Sequence, residues 1–224
     1  MKKKAETAAR AAKRRKQATA SGKAPVRRAM PGSRQSAAKD DPKVEIRRLK
    51  SQLAEARARI EQLQTVADTD FLLGIPNRRG FERELTRAVS YIQRYRASAA
   101  LIVLDVDRLK PINDHFGHAA GDDVLKAIVA ALSRQIRSSD VIGRLGGDEF
   151  AVLLWNLSET DAHAKASALE HEIDNLALSV AGSKIATGVS VGVVILGPHS
   201  ESAKALMDAD HAMYVRKAQR RHEV

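Results

Sequence analysis

The strongest constraint on the fold is a short, nearly unbroken apolar run at residues 99–106, which is rich in branched side chains. A run of this length and composition is typical of a strand buried on both faces. Asp105 and Asp107 lie at the end of this run, where they flank Val106 and therefore point to the same side of the strand. We expect this strand to lie in the middle of a sheet, with two carboxylates at its end.

The segments around this run alternate between helical and strand patterns. Helical spacing of apolar residues occurs at 77–97, 121–137, 159–178 and 202–220, and strand patterns occur at 141–145, 150–155 and 184–196. Four residues separate the two middle strands, a spacing that suits a tight hairpin: Gly146, Gly147, Asp148 and Glu149. The order β-α-β-β-α-β, preceded by a helix, predicts an α+β fold with a ferredoxin-like antiparallel sheet, the layout also found in polymerase palm domains.

Residues 43–69, ahead of this core, carry a different pattern. Apolar residues there recur in alternating steps of three and four, as in the seam of a coiled coil: Ile46, Leu49, Leu53, Ala56, Ile60, Leu63 and Ala67. Most of the other positions are polar or charged, so the seam needs a second helix with a matching stripe. We predict a dimerisation helix in a parallel homodimer. The alternative is a single amphipathic helix that packs on the following domain.

The basic charge of the chain is concentrated in residues 1–42, which hold 13 Lys and Arg but only 3 Asp and Glu, whereas the whole chain has a net charge of +11. This segment has few large apolar residues and is predicted to be a disordered arm. It has no aromatic side chain for stacking on bases, so weak contact with polyanions is the expected role. Salt-sensitive nucleic-acid binding through the arm is the alternative.

Two absences exclude whole classes of protein. The chain has no cysteine, which excludes disulfide frameworks, thiolate zinc sites and cysteine nucleophiles. It has no apolar stretch near the roughly 18 residues that span a bilayer, and its basic start lacks the apolar segment of a secretory signal. The expected location is therefore cytoplasmic.

Four carboxylates are expected at one edge of the predicted sheet. Asp105 and Asp107 end the central strand, and Asp148 and Glu149 lie in the hairpin turn beside it. Like charges this close raise one another's pKa unless a cation neutralises them, and oxygen ligands favour Mg²⁺. The pattern indicates metal-assisted phosphoryl or nucleotidyl transfer, with Asp107 in a supporting role. The alternative for a strand-end Asp-x-Asp is that it only caps backbone groups.

Five ordered segments resemble the GGDEF family of diguanylate cyclases, over residues 70–224. They are Asp70-Phe-Leu-Leu-Gly-Ile-Pro-Asn-Arg-Arg79, Asp105-Val-Asp-Arg-Leu-Lys-Pro-Ile-Asn-Asp114, Gly117-His-Ala-Ala-Gly-Asp122, Arg144-Leu-Gly-Gly-Asp-Glu-Phe150 and Ala209-Asp-His-Ala-Met-Tyr-Val-Arg-Lys217. Five motifs in order and at compatible spacing are far more specific than any one of them. We expect a GGDEF domain from residue 70 to residue 224.

The resemblance implies that two GTP molecules form cyclic di-GMP and two pyrophosphates, each 3′-hydroxyl attacking the α-phosphate of the other nucleotide. Each domain would hold one GTP, so a homodimer is part of the implied mechanism. Asp105 and Asp148, with the carbonyl of Val106, are implied ligands of Mg²⁺, with Mn²⁺ as an alternative. Asp148 and Glu149 would lie at the reacting hydroxyl, and the sequence leaves open which of them accepts the proton.

The resemblance also implies roles for residues outside the carboxylate cluster. Four cations would stabilise the phosphates: Lys110, Arg144, Lys217 and Arg221. Three residues would hold the guanine: Asn113, Asp122 and Leu125. Arg137 and Asp140 would form a site for inhibition by the product, because Arg and Asp can pair with the guanine edge. A local ion pair between these two residues is the alternative.

The chain departs from the family pattern at four positions: Leu73, Leu109, Arg216 and Arg220. The two arginines stand where the family usually has small residues, and none of the four changes removes an implied ligand. A function of another class remains, in which an inactive domain senses cyclic di-GMP or GTP. The intact acidic residues of the turn and of the strand end argue against it.

Overall fold

The structure is a computed structural model that describes residues 41–180 and 182–223, without the side chains of Val180 and of residues 221–223. The predicted basic arm lies almost entirely outside the described residues. The helices and strands follow in this order: α1 (Pro42–Ala67), α2 (Arg78–Tyr95), β1 (Ala99–Asp107), α3 (Leu109–Phe116), α4 (His118–Gln135), β2 (Val141–Arg144), β3 (Glu149–Trp155), α5 (Glu159–Asp174), β4 (Leu178–Val180), β5 (Ser183–Ile185), β6 (Gly188–Leu196) and α6 (Ser202–Glu223).

The main sheet has four strands in the order β2-β3-β1-β6, and all neighbouring strands are antiparallel. The first eight residues of β1 are buried, as expected for a strand with neighbours on both edges and helices on both faces. The predicted α+β class with an antiparallel sheet is confirmed.

Alternate residues of β1 belong to two different hydrophobic cores, because successive side chains point to opposite faces of a sheet. Ile102 packs in a core that includes Ile128 of α4 and Leu169 of α5. Leu101 packs in a second core with Phe81 of α2 and Met213 of α6. Two layers of helices therefore cover the sheet, and α6 lies on the same face as α2.

Two boundaries differ from those predicted. The helix expected at 159–178 ends at Asp174, because Asn175 caps it by donating from Nδ2 to the carbonyl of His171 at 2.7 Å. The strand expected at 184–196 is confirmed only from Gly188 onward, as β6, because the residues before it belong to a small separate hairpin of β4 and β5. Capping by an Asn side chain is a local signal that apolar periodicity does not report.

The helix expected at 121–137 is longer at its start and is preceded by another helix. α3 and α4 are separated only by Gly117, whose φ of +84° favours glycine. Pro111 lies in the first turn of α3, where a missing N–H removes no helical hydrogen bond. α3 and α4 together form the connection between β1 and β2.

α1 is a single helix of 26 residues without a buried residue. Its predicted seam is about half exposed along its length, with Leu53 at 51% and Ile60 at 55%. Within residues 41–180 and 182–223, no helix is both long enough and apolar enough to cross a membrane.

Candidate active site

Two adjacent strands bring three of the predicted carboxylates together at one edge of the sheet. Asp105, near the end of β1, lies directly opposite Glu149, the first residue of β3. The backbone N–H of Val106 donates to the carbonyl of Asp148 at 2.9 Å. The hairpin between β2 and β3 therefore brings Asp148 and Glu149 to the end of β1.

Asp105 is a buried carboxylate, 7% exposed, and its Oδ1 accepts a hydrogen bond from the ammonium of Lys217. Burial raises the pKa of Asp105 above its ordinary value, and the charges of Asp148 and Asp107 raise it further, while Lys217 opposes them. A carboxylate in these surroundings is stabilised by an additional cation. α6 supplies one cation here, in the form of Lys217.

Glu149 is partly buried, and its Oε2 lies 3.5 Å from Nη2 of Arg78. Burial raises the pKa of Glu149, the charge of Asp210 on α6 adds to this rise, and Arg78 opposes it. A raised pKa makes a carboxylate a better proton acceptor near neutral pH. Arg78 and Asp210 were missed by reasoning from the sequence, although each is a charged residue inside one of the five motifs.

Asp107 has partners of its own within the protein. Its Oδ1 accepts a hydrogen bond from Ser190 Oγ at 3.1 Å, and its Oδ2 lies 3.4 Å from Nε of Arg220. These contacts fit the supporting role expected for Asp107.

The Gly146-Gly147 turn is held by the guanidinium of Arg144. Nε donates to the carbonyl of Gly146 at 2.9 Å, and Nη2 donates to the carbonyl of Gly147 at 2.7 Å. Nη1 pairs with Asp70 at 3.1 Å. Arg144 thus fixes the backbone that precedes Asp148, and the sequence did not predict this contact. Its expected contact with phosphate stays a prediction.

A cavity of about 610 Å³ opens where β1 ends. Its wall includes Asp148 from the turn, Lys110 from α3 and Lys217 from α6. The volume is within the usual range of small-molecule sites, roughly 300–1,000 Å³. Two of the four predicted phosphate-binding cations therefore share one cavity with an acidic residue of the turn.

Asn113 and the start of α4 lie against each other. Asn113 Oδ1 is buried and has no hydrogen-bond partner among the described residues. A Cβ atom at Gly121 would overlap this oxygen, so the close approach requires glycine. An unpaired buried amide oxygen is costly, so Asn113 Oδ1 needs a hydrogen-bond donor from water or from a ligand. Asp122, a second residue expected at the guanine, follows Gly121 directly.

Leu125 and Arg221 are two further residues expected to bind the substrate. Leu125 is 2% exposed and packs in the hydrophobic core, so it lies beneath the surface of the protein. The side chain of Arg221 lies outside the described part of α6.

Arg137 and Asp140 lie in the loop between α4 and β2. Asp140 accepts hydrogen bonds from the backbone N–H of Arg137 at 2.9 Å and of Trp155 at 3.1 Å. Its carboxylate is thus bonded to backbone, and the side chain of Arg137 is exposed. The alternative of a local ion pair gains no support, because none joins these two side chains among the described residues.

The donor set at the end of β1 fits a hard divalent cation. No group of three His, Asp or Glu side chains in residues 41–180 and 182–223 is arranged to bind a metal ion. Mg²⁺ typically uses one or two carboxylates and completes its octahedral shell with water and substrate phosphates. Asp105 and Asp148 satisfy this requirement, and the buried Asp105 gains most from the added positive charge.

Comparison with known proteins agrees with this geometry. Residues 67–223 match the family model described as "Diguanylate cyclase, GGDEF domain". Diguanylate cyclase TpbB from Pseudomonas aeruginosa is 41% identical over 157 residues, which are 69% of this chain and 36% of the relative. Diguanylate cyclase DosC from Escherichia coli is 31% identical over 156 residues, 69% of this chain and 34% of that protein. The chain thus spans about a third of the length of these relatives.

Solved structures give the same result. The coiled coil and GGDEF domain of DgcB from Caulobacter crescentus, in complex with c-di-GMP, matches with a TM-score of 0.68 and 25% identity, covering 80% of this chain and 95% of that one. The GGDEF domain of TpbB matches with a TM-score of 0.64 and 41% identity, covering 67% of this chain and 89% of that one. The chain belongs to the GGDEF-domain family of diguanylate cyclases.

Proposed function

We propose that this protein condenses two molecules of GTP into cyclic di-GMP and two pyrophosphates. Each 3′-oxygen forms a bond to the α-phosphorus of the other nucleotide, the bond from that phosphorus to the β-phosphate breaks, and pyrophosphate leaves. The observation that carries the proposal is the convergence of Asp105, Asp148 and Glu149 at the end of β1. Lys110 and Lys217 line the adjoining cavity, as a site for a nucleoside triphosphate requires.

Asp105 and Asp148, with the carbonyl of Val106, would hold Mg²⁺, and Mn²⁺ is the alternative with the same oxygen ligands. When bound, the ion supplies Lewis-acid stabilisation of the phosphate charge and lowers the pKa of a coordinated hydroxyl. The proton of the attacking hydroxyl passes to a carboxylate. The raised pKa of Glu149 supports it as the acceptor, with Asp148 as the alternative.

The phosphates would be bound by Lys110 and Lys217, both in the cavity wall, and by Arg221. Arg144 stabilises the turn and, in this proposal, adds positive charge near the α-phosphate. The orphaned oxygen of Asn113 can accept a hydrogen bond from guanine, and Asp122 beside it can accept the N1 and N2 protons. Leu125 would form the apolar floor under the base. These contacts favour guanine over adenine.

The reaction needs two loaded domains, and α1 would bring them together as a parallel coiled coil. The half-exposed stripe that includes Leu53 and Ile60 supports this pairing, since a stripe of this length is normally covered. Pairing raises the effective concentration of one half-site relative to the other. Arg137 and Asp140 would bind the product and inhibit the enzyme, and the exposed Arg137 supports this role.

The test is incubation of the purified chain with GTP and Mg²⁺, with products separated by chromatography and identified by mass. Cyclic di-GMP is expected from the wild type and not from Asp148→Ala or Glu149→Ala. Asp208→Asn is the matched control, because Asp208 pairs with Lys204 on α6 at 2.6 Å and is not part of the cavity wall. If a folded, product-free dimer of the wild type forms no cyclic di-GMP, the domain is a nucleotide-sensing module instead.

A further inference from the structure

Two arginines of α6 bind acidic side chains of α5. Arg216 donates from Nε and Nη2 to the carboxylate of Glu170, at 3.1 and 3.2 Å. Arg220, about one helical turn later, donates from Nη2 to both oxygens of Asp174, at 2.8 and 3.0 Å. Hydrogen bonds between charged partners are stronger than neutral ones, so these two pairs tie α6 to α5.

Arg220 also reaches the end of β1. Its Nε lies 3.4 Å from Oδ2 of Asp107, and its Nη1 lies 3.6 Å from Oε1 of Glu170. Burial lowers the pKa of Arg220, but the hydrogen bond and charge of Asp174 and the charges of Asp107 and Glu170 outweigh it, and the pKa rises. We call Arg220 with Asp107 and Asp174 the arginine bridge.

All three members of the arginine bridge line the cavity that also contains Asp148 and Lys217. Arg216 and Glu170 are not among the residues that form its wall. The two arginines of α6 therefore make similar contacts with α5, yet only Arg220 lies at the site. This difference makes Arg216 a control for the contribution of helix pairing alone.

The start of β6 is shaped to accommodate the bridge. Gly188 pairs with Asp107 across the sheet. A Cβ atom at Gly188 would lie 2.5 Å from Oδ1 of Asp174 and 2.8 Å from Nη2 of Arg220. A larger residue at this position would require the carboxylate of Asp174 or the guanidinium of Arg220 to move.

The charges of the bridge determine how the cavity wall acts on a nucleotide. Without Arg220, Asp107 and Asp174 would present two negative charges to a triphosphate, which is itself strongly negative. Repulsion between like charges at close range weakens the binding of such a ligand. With Arg220 in place, its guanidinium offsets much of this charge.

We propose that Arg220 is a positioning residue for the nucleotide: it offsets part of the negative charge of Asp107 and Asp174 and so keeps this wall of the cavity compatible with a triphosphate. The inference rests on the proposed function, because GTP is the ligand concerned. Arg220 acts through the two carboxylates and not through contact with the phosphates. Its loss therefore affects nucleotide affinity more than the chemical step.

The test is calorimetric titration of the full chain with 3′-deoxy-GTP at constant Mg²⁺. This nucleotide lacks the attacking hydroxyl, so binding is measured without turnover. Arg220→Ala is expected to weaken binding by about tenfold, and Arg216→Ala to change it by less than about twofold. In steady-state assays with GTP, Arg220→Ala is expected to raise KM and leave kcat within about twofold.

Removing the negative charge of Asp174 tests whether the effect of Arg220→Ala on binding is electrostatic or comes from a folding defect. Asp174→Asn in the Arg220→Ala background is expected to restore most of the lost affinity. Asp174→Asn alone is expected to bind 3′-deoxy-GTP more tightly than the wild type, and this result does not depend on whether Arg220→Ala folds. Unchanged binding by Arg220→Ala, an equal loss in Arg216→Ala, or no restoration by Asp174→Asn would each contradict the proposal.

The results that would contradict the proposed reaction differ from those that would contradict the role of Arg220. A wild type that binds 3′-deoxy-GTP but forms no cyclic di-GMP from GTP contradicts the reaction, whereas the role of Arg220 is still decided by the binding data. A wild type that does not bind 3′-deoxy-GTP contradicts both.

Discussion

The ammonium of Lys217 in α6 donates a hydrogen bond to Oδ1 of Asp105 in β1, although the two residues are 112 positions apart in the sequence. This contact links the last helix of the domain to the central strand. It also places a cation at the carboxylate proposed to bind the metal ion. When no metal is bound, Asp105 therefore pairs with Lys217, a residue that we propose to bind the phosphates of GTP.

Asp105→Asn is expected to stabilise the metal-free protein while abolishing activity. Folding raises the pKa of Asp105, so the folded chain binds more protons than the unfolded chain between the two pKa values, and stability is lost as pH rises through that interval. Above that interval the buried carboxyl is charged, which costs stability. Its removal is expected to raise Tm by about 2 °C.

The measurement is thermal unfolding in EDTA at pH 7 and at pH 4, with Asp208→Asn as the exposed control. The gain for Asp105→Asn should be smaller at pH 4, where more of the wild-type carboxyl is already protonated. A lower Tm for Asp105→Asn at pH 7 would show that the Lys217 contact outweighs the cost of burial.

Gly192→Ala is expected to destabilise the domain by at least about 2 kcal/mol, as overpacking typically does. Gly192 lies opposite Val103 in the sheet, and a Cβ atom there would overlap the backbone of α6 at Ala209 and Met213. Gly197→Ala is the matched control, because a Cβ atom at Gly197 meets nothing within 4 Å. Chemical denaturation of both variants checks this, and equal stabilities would contradict the packing of α6 on β6.

Charged residues in the stripe of α1 are expected to abolish dimerisation and activity together. Leu53→Glu with Ile60→Glu places like charges where two helices would meet, whereas Arg59→Glu changes a position outside the stripe. Sedimentation at several concentrations gives the oligomeric state, and product formation gives the activity. Full activity in a demonstrated monomer would refute the role of α1.

Arg137→Ala and Asp140→Ala are expected to differ in their effects on stability. The Asp140 carboxylate accepts two backbone N–H groups, so Asp140→Ala is expected to cost about 1–3 kcal/mol. Arg137 is exposed, and Arg137→Ala is expected to leave Tm unchanged while relieving inhibition by added cyclic di-GMP. Enzyme assays across product concentrations, with thermal unfolding, check both. Unaltered inhibition in Arg137→Ala would remove this residue from the product site.

Much of the fold is readable in the sequence because its signals are local. The apolar run before Asp107 predicted the buried strand β1, and the spacing of Gly146 to Glu149 predicted the hairpin that follows it. The heptad pattern around Leu53 predicted α1. The C-terminal end of α5 and the hairpin of β4 and β5 were not predicted. Asn175 ends the helix through a capping contact, which apolar periodicity does not report.

The sequence by itself predicted which residues carry the chemistry: the motif residues Asp105, Asp148 and Glu149 were proposed from their types, their spacing and the resemblance of their motifs. Only the tertiary structure decided how their neighbours act on them. The contacts of Lys217 with Asp105, of Arg144 with Asp70, and of Arg220 with Asp107 and Asp174 join residues far apart in the chain. Such pairings depend on how α6, α5 and the turn pack against the sheet, and no local pattern encodes that packing.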